Sequence, residues 1–293
     1  MEKTRRGLAG VDIAIGDIVG RKSYNKDIYF KVVELFERDK VPYAILRGLD
    51  IRLVSDAPVD DLEKISPAEV AEYWRKVMKS SGELVKRCFE RREAEHIRSL
   101  NRTDVKTFDV PGRVLHIDGD GDYLDLCITT YKQLGVPADG YHIPEERQPK
   151  EVVLLLQKHR PDLLVLTGHD ALVKGASDFR DMKNYRSSAY FVEAVRAARQ
   201  WEKNRDDLVI FAGACQSYYE AILEAGANFA SSPERVLIHA FDPVFIVEKV
   251  AYTPVSKAVA LKSVIESTIT GYPGIGGLDT QGKYRMGAPK SAY

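Results

Sequence analysis

"DLLVLTGHD" (162–170) is a run of branched apolar residues that stops at glycine and histidine, and "DLVIFAGAC" (207–215) repeats the plan and stops at alanine and cysteine. Unbroken apolar runs of this length, bounded by turn formers, belong to strands buried on both faces, as in a parallel sheet. Strand and helix patterns alternate around them. "RVLHIDGD" (113–120) precedes a helical period over 123–134, and "ADGYHIP" (138–144) precedes another over 145–158. A helix over 188–203 separates the two opening stretches, one over 216–225 follows the second, and "RVLIHAF" (235–241) reads as a further strand. The alternation predicts an α/β fold over 109–293, with a parallel sheet covered by helices on both faces. The closing stretch from Thr270, "TGYPGIGGLDTQGKYRMGAPKSAY", is rich in glycine, lacks a period and reads as a tail.

The preceding part has a different texture. "GDIVGRKSY", "DIYFKVVELF" and "YAILRGLDIRLVSDAP" are short β-branched and aromatic runs between turn formers, which predicts a small SH3-like β-barrel over 1–60. From Ser66 to about Leu100 the apolar residues recur at helical spacing. Ser66-Pro67 is a helix start and Ser81-Gly82 reads as a break between two helices, so 61–108 is expected to be a helical linker.

The chain has 293 residues with 43 basic and 43 acidic side chains. A formal charge of zero offers no general attraction to nucleic acid or to an anionic membrane. No run approaches the ~20 apolar residues of a membrane span. The basic start is interrupted by Asp12, Gly16 and Asp17, so it lacks a signal-peptide core. Cys88, Cys127 and Cys215 are odd in number and widely spaced, forming neither a disulfide framework nor a metal motif, which points to a reducing, cytoplasmic setting. Asp118, Asp120 and Asp122 alternate as in a calcium loop, but Tyr123 stands at that loop's glycine position and Thr129 at its final glutamate. No metal or organic cofactor is expected.

In an open α/β sheet, reactive groups collect where the strands end at their carboxyl side. His169 and Cys215 both stand there, on strands expected to be about 4.8 Å apart. A thiol attacks as its thiolate, a form favoured by a nearby imidazole and by a helix start, and Cys215 opens the helix predicted after it. The bland alternative is a core thiol and a satisfied polar histidine; the matched placement of the two favours chemistry. His116 reads as structural, and Cys88 and Cys127 as core. His239, near Asp242, is a candidate either for a group supporting the site from behind or for a replacement base. The polar loop over 170–188 is either a flap or a plain connection.

A strand ending in His followed by a strand ending in Ala-Cys resembles the block pattern of caspase-like cysteine peptidases such as legumain, clostripain, gingipain and separase. The 46-residue separation of His169 and Cys215 is near the roughly 50 of that pattern. Across nearly the whole chain, "GDIVGRKSYNKDIYFKV", "LRGLDIRLVSDAP", "LTGHD", "NYRSSAYFVEAVRAAR" and "FAGACQSYYEAILEAGANFASSP" resemble the YabG family of sporulation peptidases of spore-forming Firmicutes.

The resemblance implies a caspase-like α/β/α peptidase of the mother-cell cytoplasm, needing no cofactor, that trims spore coat or germination proteins after arginine. Cys215 would be the nucleophile and His169 the general base and acid, with the backbone amides of Asp170 and Cys215 facing the oxyanion. Asp170 departs from the glycine that usually follows the histidine, and "GACQS" keeps only the Ala-Cys core. A substrate arginine needs a carboxylate, and "HIDGDGDYLD" offers Asp118 or Asp120 on the same rim. The alternative for those two is a turn with acidic caps for the next helix. Two rival functions remain open at this point: a hydrolase of the amidotransferase kind with a cysteine elbow, although Ser217 fills its second glycine position, and a non-catalytic coat-assembly scaffold. "ERRE" (90–93) and "NRDD" (204–207) are either self-cleavage sites for such a peptidase or, as charged runs mostly are, plain solvated surface.

Overall fold

The computed structural model describes residues 12–100 and 106–291, the side chains of 95–100 excepted. The basic start, residues 101–105 of the expected linker and the last two residues of the tail lie outside the described part. The chain forms two compact units, Met1–Ser80 and Ser81–Tyr293.

In the first unit, β1 (Ile18–Arg21), β2 (Tyr29–Arg38), β3 (Val41–Gly48), β4 (Val54–Pro58) and β5 (Leu62–Lys64) form one antiparallel sheet in the order β4-β3-β2-β1-β5. Asp39 and Lys40, both at positive φ, make the two-residue turn between β2 and β3, a connection whose twist matches that of the strands. Val19, Phe30, Val32, Ala44, Leu46 and Ala57 are buried on one side of the sheet. Among the described residues the ladders run in a single row, with β4 and β5 at its edges, and no ladder closes the row into a barrel.

Helix α1 (Pro67–Leu100) starts on a capping box, in which the Glu69 amide donates to Ser66 Oγ (3.2 Å) and the Ser66 amide donates to Glu69 Oε2 (3.0 Å). It continues without interruption through Ser81-Gly82, where a break between two helices is expected from sequence. A single glycine costs a helix only about 1 kcal/mol relative to alanine, and the long flanking runs on either side carry it.

The second unit contains β6 (Phe108–Val110), β7 (Val114–Asp118), α2 (Gly121–Gln133), β8 (Ala138–His142), α3 (Gln148–His159), β9 (Leu163–Thr167), α4 (Ser188–Trp201), β10 (Val209–Ala212), α5 (Tyr219–Glu224), β11 (Phe229–Ser231), α6 (Asp242–Ala251), β12 (Ala258–Val259), α7 (Leu261–Ile265), β13 (Ile275–Gly277), β14 (Thr280–Gln281) and β15 (Arg285–Gly287). Its main sheet has the order β13-β11-β10-β9-β7-β8; the last five are parallel and β13 runs antiparallel along the edge. Leu115, Ile117, Leu164, Leu166, Ile210 and Ala212 pack on Val152 and Leu156 of α3 and on Phe191 and Val195 of α4. Helices α2 and α6 pack together and against β7 and β9 respectively.

Two expectations fail here. "RVLIHAF" is a loop, and the fifth parallel strand is Phe229–Ser231. Ser232 and Arg235 both take positive φ, which ends the strand, while Ile238, Ala240 and Phe241 are buried as part of the loop. The glycine-rich end also supplies β13, whose pairing with β11 uses backbone groups and so leaves no side-chain period to read.

Buried Glu248 on α6 accepts Arg91 Nη2 at 2.7 Å and Arg92 Nε at 2.7 Å. The two arginines of "ERRE" are therefore committed to an ion pair within a helix, which is not a conformation open to cleavage. Burial pushes the Glu248 carboxyl up, but the two guanidiniums outweigh it and hold the group below its ordinary 4.5. The stability it contributes is therefore present above about pH 4.5 and lost as the pH falls through the depressed folded value. Glu248→Gln is expected to remove roughly 3 kcal/mol at pH 7, because two half-buried cations lose their charged partner. Urea unfolding at pH 7 and at pH 3 checks this, and the gap between variant and parent should narrow at the lower pH.

Candidate active site

β8 and β9 flank β7 on opposite sides, so the crevice of this sheet opens at the carboxyl ends of β7 and β9. Three turns meet on this rim: Asp118-Gly119-Asp120 after β7, Gly168-His169-Asp170 after β9 and Gly213-Ala214-Cys215 after β10.

The first turn rests on a buried polar chain. Tyr131 OH lies 3.3 Å from His116 Nδ1, and His116 Nε2 lies 2.8 Å from Thr167 Oγ1. Thr167 Oγ1 donates to Asp118 Oδ2 (2.8 Å), and Asp118 Oδ1 accepts the Asp120 amide (2.9 Å). His116 and Asp118 are both fully buried, so Asp118 acts inside the fold. Asp120 Oδ1 accepts the amides of Asp122 (2.9 Å) and Tyr123 (3.2 Å), capping α2, while Oδ2 lies 2.9 Å from His169 Nε2.

His169 is held from two more directions. Its amide donates to Glu145 Oε1 (2.6 Å), and the Tyr123 ring lies 5.5 Å from the imidazole, centroid to centroid. A Cβ on Gly119 or on Gly168 would meet the Glu145 side chain, so a larger residue at either position would push that carboxylate off the His169 amide. The second ring nitrogen, Nδ1, is buried with no hydrogen-bond partner among the described residues.

Around Cys215 the chain makes a tight turn. Gly213 takes φ +110° with the Gly213 amide still on Leu166 O (3.0 Å), and a Cβ there would meet Ser231 Oγ. The Ala214 amide donates to Ser217 Oγ (2.9 Å), and Ser217 Oγ donates to Asp170 Oδ2 (3.0 Å). Asp170, 3% exposed, also accepts the amides of Ala171 (2.9 Å) and Ser187 (2.8 Å) and the Ser188 hydroxyl. Burial raises its carboxyl above the ordinary range despite these donors. The Leu172 amide donates to Gln216 Oε1 (3.3 Å). The turn carrying the imidazole and the turn carrying the thiol are thus bonded directly to each other. In the β9–β10 register Leu166 pairs with Ala212, so His169 and Cys215 each stand three positions beyond a paired residue.

Cys215 is 0% exposed, and its Sγ accepts the Ile238 amide at 3.2 Å. The following helix begins at Tyr219, so Cys215 does not open it; Gln216 at positive φ and the Ser217 turn intervene. The expected help from a helix start is therefore absent. None of the three cysteines is in a disulfide. Cys127 donates to Ala240 O (3.3 Å), and burial together with the negative Glu248 pushes the Cys88 thiol up to about 12. His239 Nδ1 accepts the Phe241 amide (3.2 Å), and it is the His239 backbone amide that meets Asp242 Oδ2 (3.1 Å). The 170–188 loop folds back on itself through Val173 N to Asn184 O (2.8 Å), and Tyr185 stacks on Tyr218 at 5.0 Å with Arg235 beside both rings. Among the described residues, no three His, Cys, Asp or Glu side chains form a metal-binding group.

The YabG peptidase U57 family model matches residues 14–289. The sporulation-specific protease YabG of Bacillus subtilis (strain 168) is 41% identical over 282 residues, covering 94% of this chain and 97% of that protein. The chain belongs to the YabG peptidase family. It is a peptidase with a mixed α/β fold, and none of its described helices is long and apolar enough to cross a membrane.

In this YabG-family peptidase, sequence reasoning missed Glu145, Ser188 and Ser217. Glu145 sits in the charged run "PEERQPK", and its only traces elsewhere are the two glycines that make room for it. Ser217→Ala is expected to cost about 1–3 kcal/mol, because it strips the buried Ala214 amide of its acceptor and Asp170 of one donor. Chemical denaturation of the variant beside the parent measures this.

Proposed function

We propose that this peptidase is a sporulation endopeptidase of the caspase-like cysteine type, with Cys215 as nucleophile and His169 as general base and acid. The observation that carries the reading is the pairing of β9 with β10, which puts His169 and Cys215 in the turns that follow two adjacent strands, with those turns tied through Asp170–Ser217 and Leu172–Gln216. Five parallel strands with a reversed edge strand, and the base and nucleophile following two consecutive central strands, support the caspase-like comparison.

In the proposed reaction His169 Nδ1 takes the thiol proton and Sγ attacks the scissile carbonyl carbon. The oxygen's developing charge is met by the backbone amides of Asp170 and Cys215. His169 then returns the proton to the leaving amine, giving a thioester that a water molecule, deprotonated by the same imidazole, hydrolyses. Because Cys215 is covered and the Ile238 amide rests on its sulfur, attack requires the 232–241 loop to shift.

The proposed substrates are spore coat and germination proteins in the mother-cell cytoplasm, cut after arginine. Of the carboxylates on this rim, Glu145 would receive the guanidinium. Asp118 and Asp120 are already engaged by internal donors, whereas Glu145 is partly exposed. No metal or organic cofactor enters this chemistry.

Fluorogenic peptides ending in Arg, Lys, Asp or Asn test the reading. Arginine peptides should be cleaved by the parent, with the rate at least about 10³-fold lower in Cys215→Ala and in His169→Ala. Undiminished cleavage by Cys215→Ala would sink the mechanism, and silence of the parent on peptides and on coat proteins alike would favour a scaffold.

A further inference from the structure

We infer that Asp120 is the positioning residue that holds His169 in the one tautomer and orientation that serve the Cys215 thiol. This rests on the Cys215–His169 reading above and changes the part expected of Asp120, from contacting substrate to orienting the base.

The argument begins with proton bookkeeping. An ionised carboxylate only accepts hydrogen bonds, so the 2.9 Å contact between Asp120 Oδ2 and His169 Nε2 places the ring proton on Nε2. Nδ1 is then the nitrogen with the lone pair, and it is the one left buried without a partner among the described residues. A buried polar atom with no partner is unfavourable in a resting protein, and the thiol proton is what this nitrogen is suited to accept. Once Nδ1 has taken that proton, the imidazolium lies against a carboxylate already in contact with its other nitrogen.

Asp120 is itself immobilised, as a positioning group must be. Its Oδ1 carries two amides of the first turn of α2, and its own amide donates to Asp118, which Thr167 holds from the other side. The ring it orients is flanked by Tyr123, and the backbone of His169 is pinned by Glu145. A substrate guanidinium reaching Asp120 Oδ2 would have to displace the Nε2 proton and free the ring, which would abolish the arrangement it came to use.

Asp120→Asn is the informative variant. Asparagine caps a helix as well as aspartate does, so Oδ1 keeps the α2 amides. Its Nδ2 donates instead of accepting, which forces the ring proton onto Nδ1 and blocks removal of the thiol proton. On the arginine peptides kcat should fall by about 10²–10⁴-fold with KM changed less than about threefold. The melting temperature should stay within about 3 °C of the parent. The pH profile of Cys215 alkylation by an arginyl chloromethyl ketone, which opens the 232–241 loop as a substrate does, should change shape, which a purely structural role would not produce. Asp120→Glu, which restores an acceptor, should recover at least about tenfold over Asp120→Asn.

If Asp120→Asn does not fold, Asp120→Ser keeps a capping oxygen, is too short to orient the imidazole, and carries the same expectation. A rise in KM with kcat unchanged would return Asp120 to substrate binding and overturn the inference, as would an unaltered kcat and alkylation profile. Cys215→Ala assayed in parallel separates the two levels. Activity in Cys215→Ala removes the underlying reading, whereas inactivity there with full activity in Asp120→Asn removes this inference alone.

Discussion

A carboxylate taken out of water must be surrounded by donors or it will not stay ionised, and this constraint organises the carboxyl edge of the main sheet. Asp118, Asp120 and Asp170 are all buried there. Leaving any of them unmatched would cost several kcal/mol, a large fraction of a domain's net stability. The chain meets the requirement with backbone amides and hydroxyls drawn from different segments. Asp170 gathers the start of α4, the turn after β10 and its own turn, and Asp120 gathers the start of α2 and the imidazole of His169. Satisfying the charges therefore sets the positions of the loops, and the loops carry the residues proposed for chemistry.

The sheet was legible in the sequence because its strands are unbroken apolar runs, and His169 and Cys215 were legible as the polar residues where two such runs stop. Elements that depend on backbone geometry were not. Ile275–Gly277 joins the sheet through its main chain, and 235–241 looks like a strand by composition but is turned aside by positive φ at Ser232 and Arg235. Gly82 suggested a break that the surrounding helical run overrides, and the helix expected to begin beside Cys215 starts at Tyr219. The contacts within the site were invisible for another reason. His169 meets Asp120 across 49 residues and Glu145 across 24, and Asp170 meets Ser217 across 47. No local pattern encodes such pairings, so Asp120 was read as one acidic residue among three.

On the proposed chemistry, the burial of Cys215 has a functional meaning. A thiol covered by the 232–241 loop and accepting the Ile238 amide is shielded both from stray alkylation and from proteins that do not open the loop. Arg235, at the edge of the cover, bonds Tyr185 from the 170–188 loop at 2.7 Å, so the two segments flanking the nucleophile are joined to each other. Substrate entry then has to disturb the contacts of both, which ties access to the thiol to the same loops that the buried carboxylates hold in place.

The most direct test of the central claim is to inactivate the native protein with an arginyl chloromethyl ketone and map the modified residue by peptide mass spectrometry. The account predicts a single adduct on Cys215 that fails to form in Cys215→Ala. An adduct on Cys88 or Cys127, or inactivation that leaves Cys215 unmodified, would contradict it.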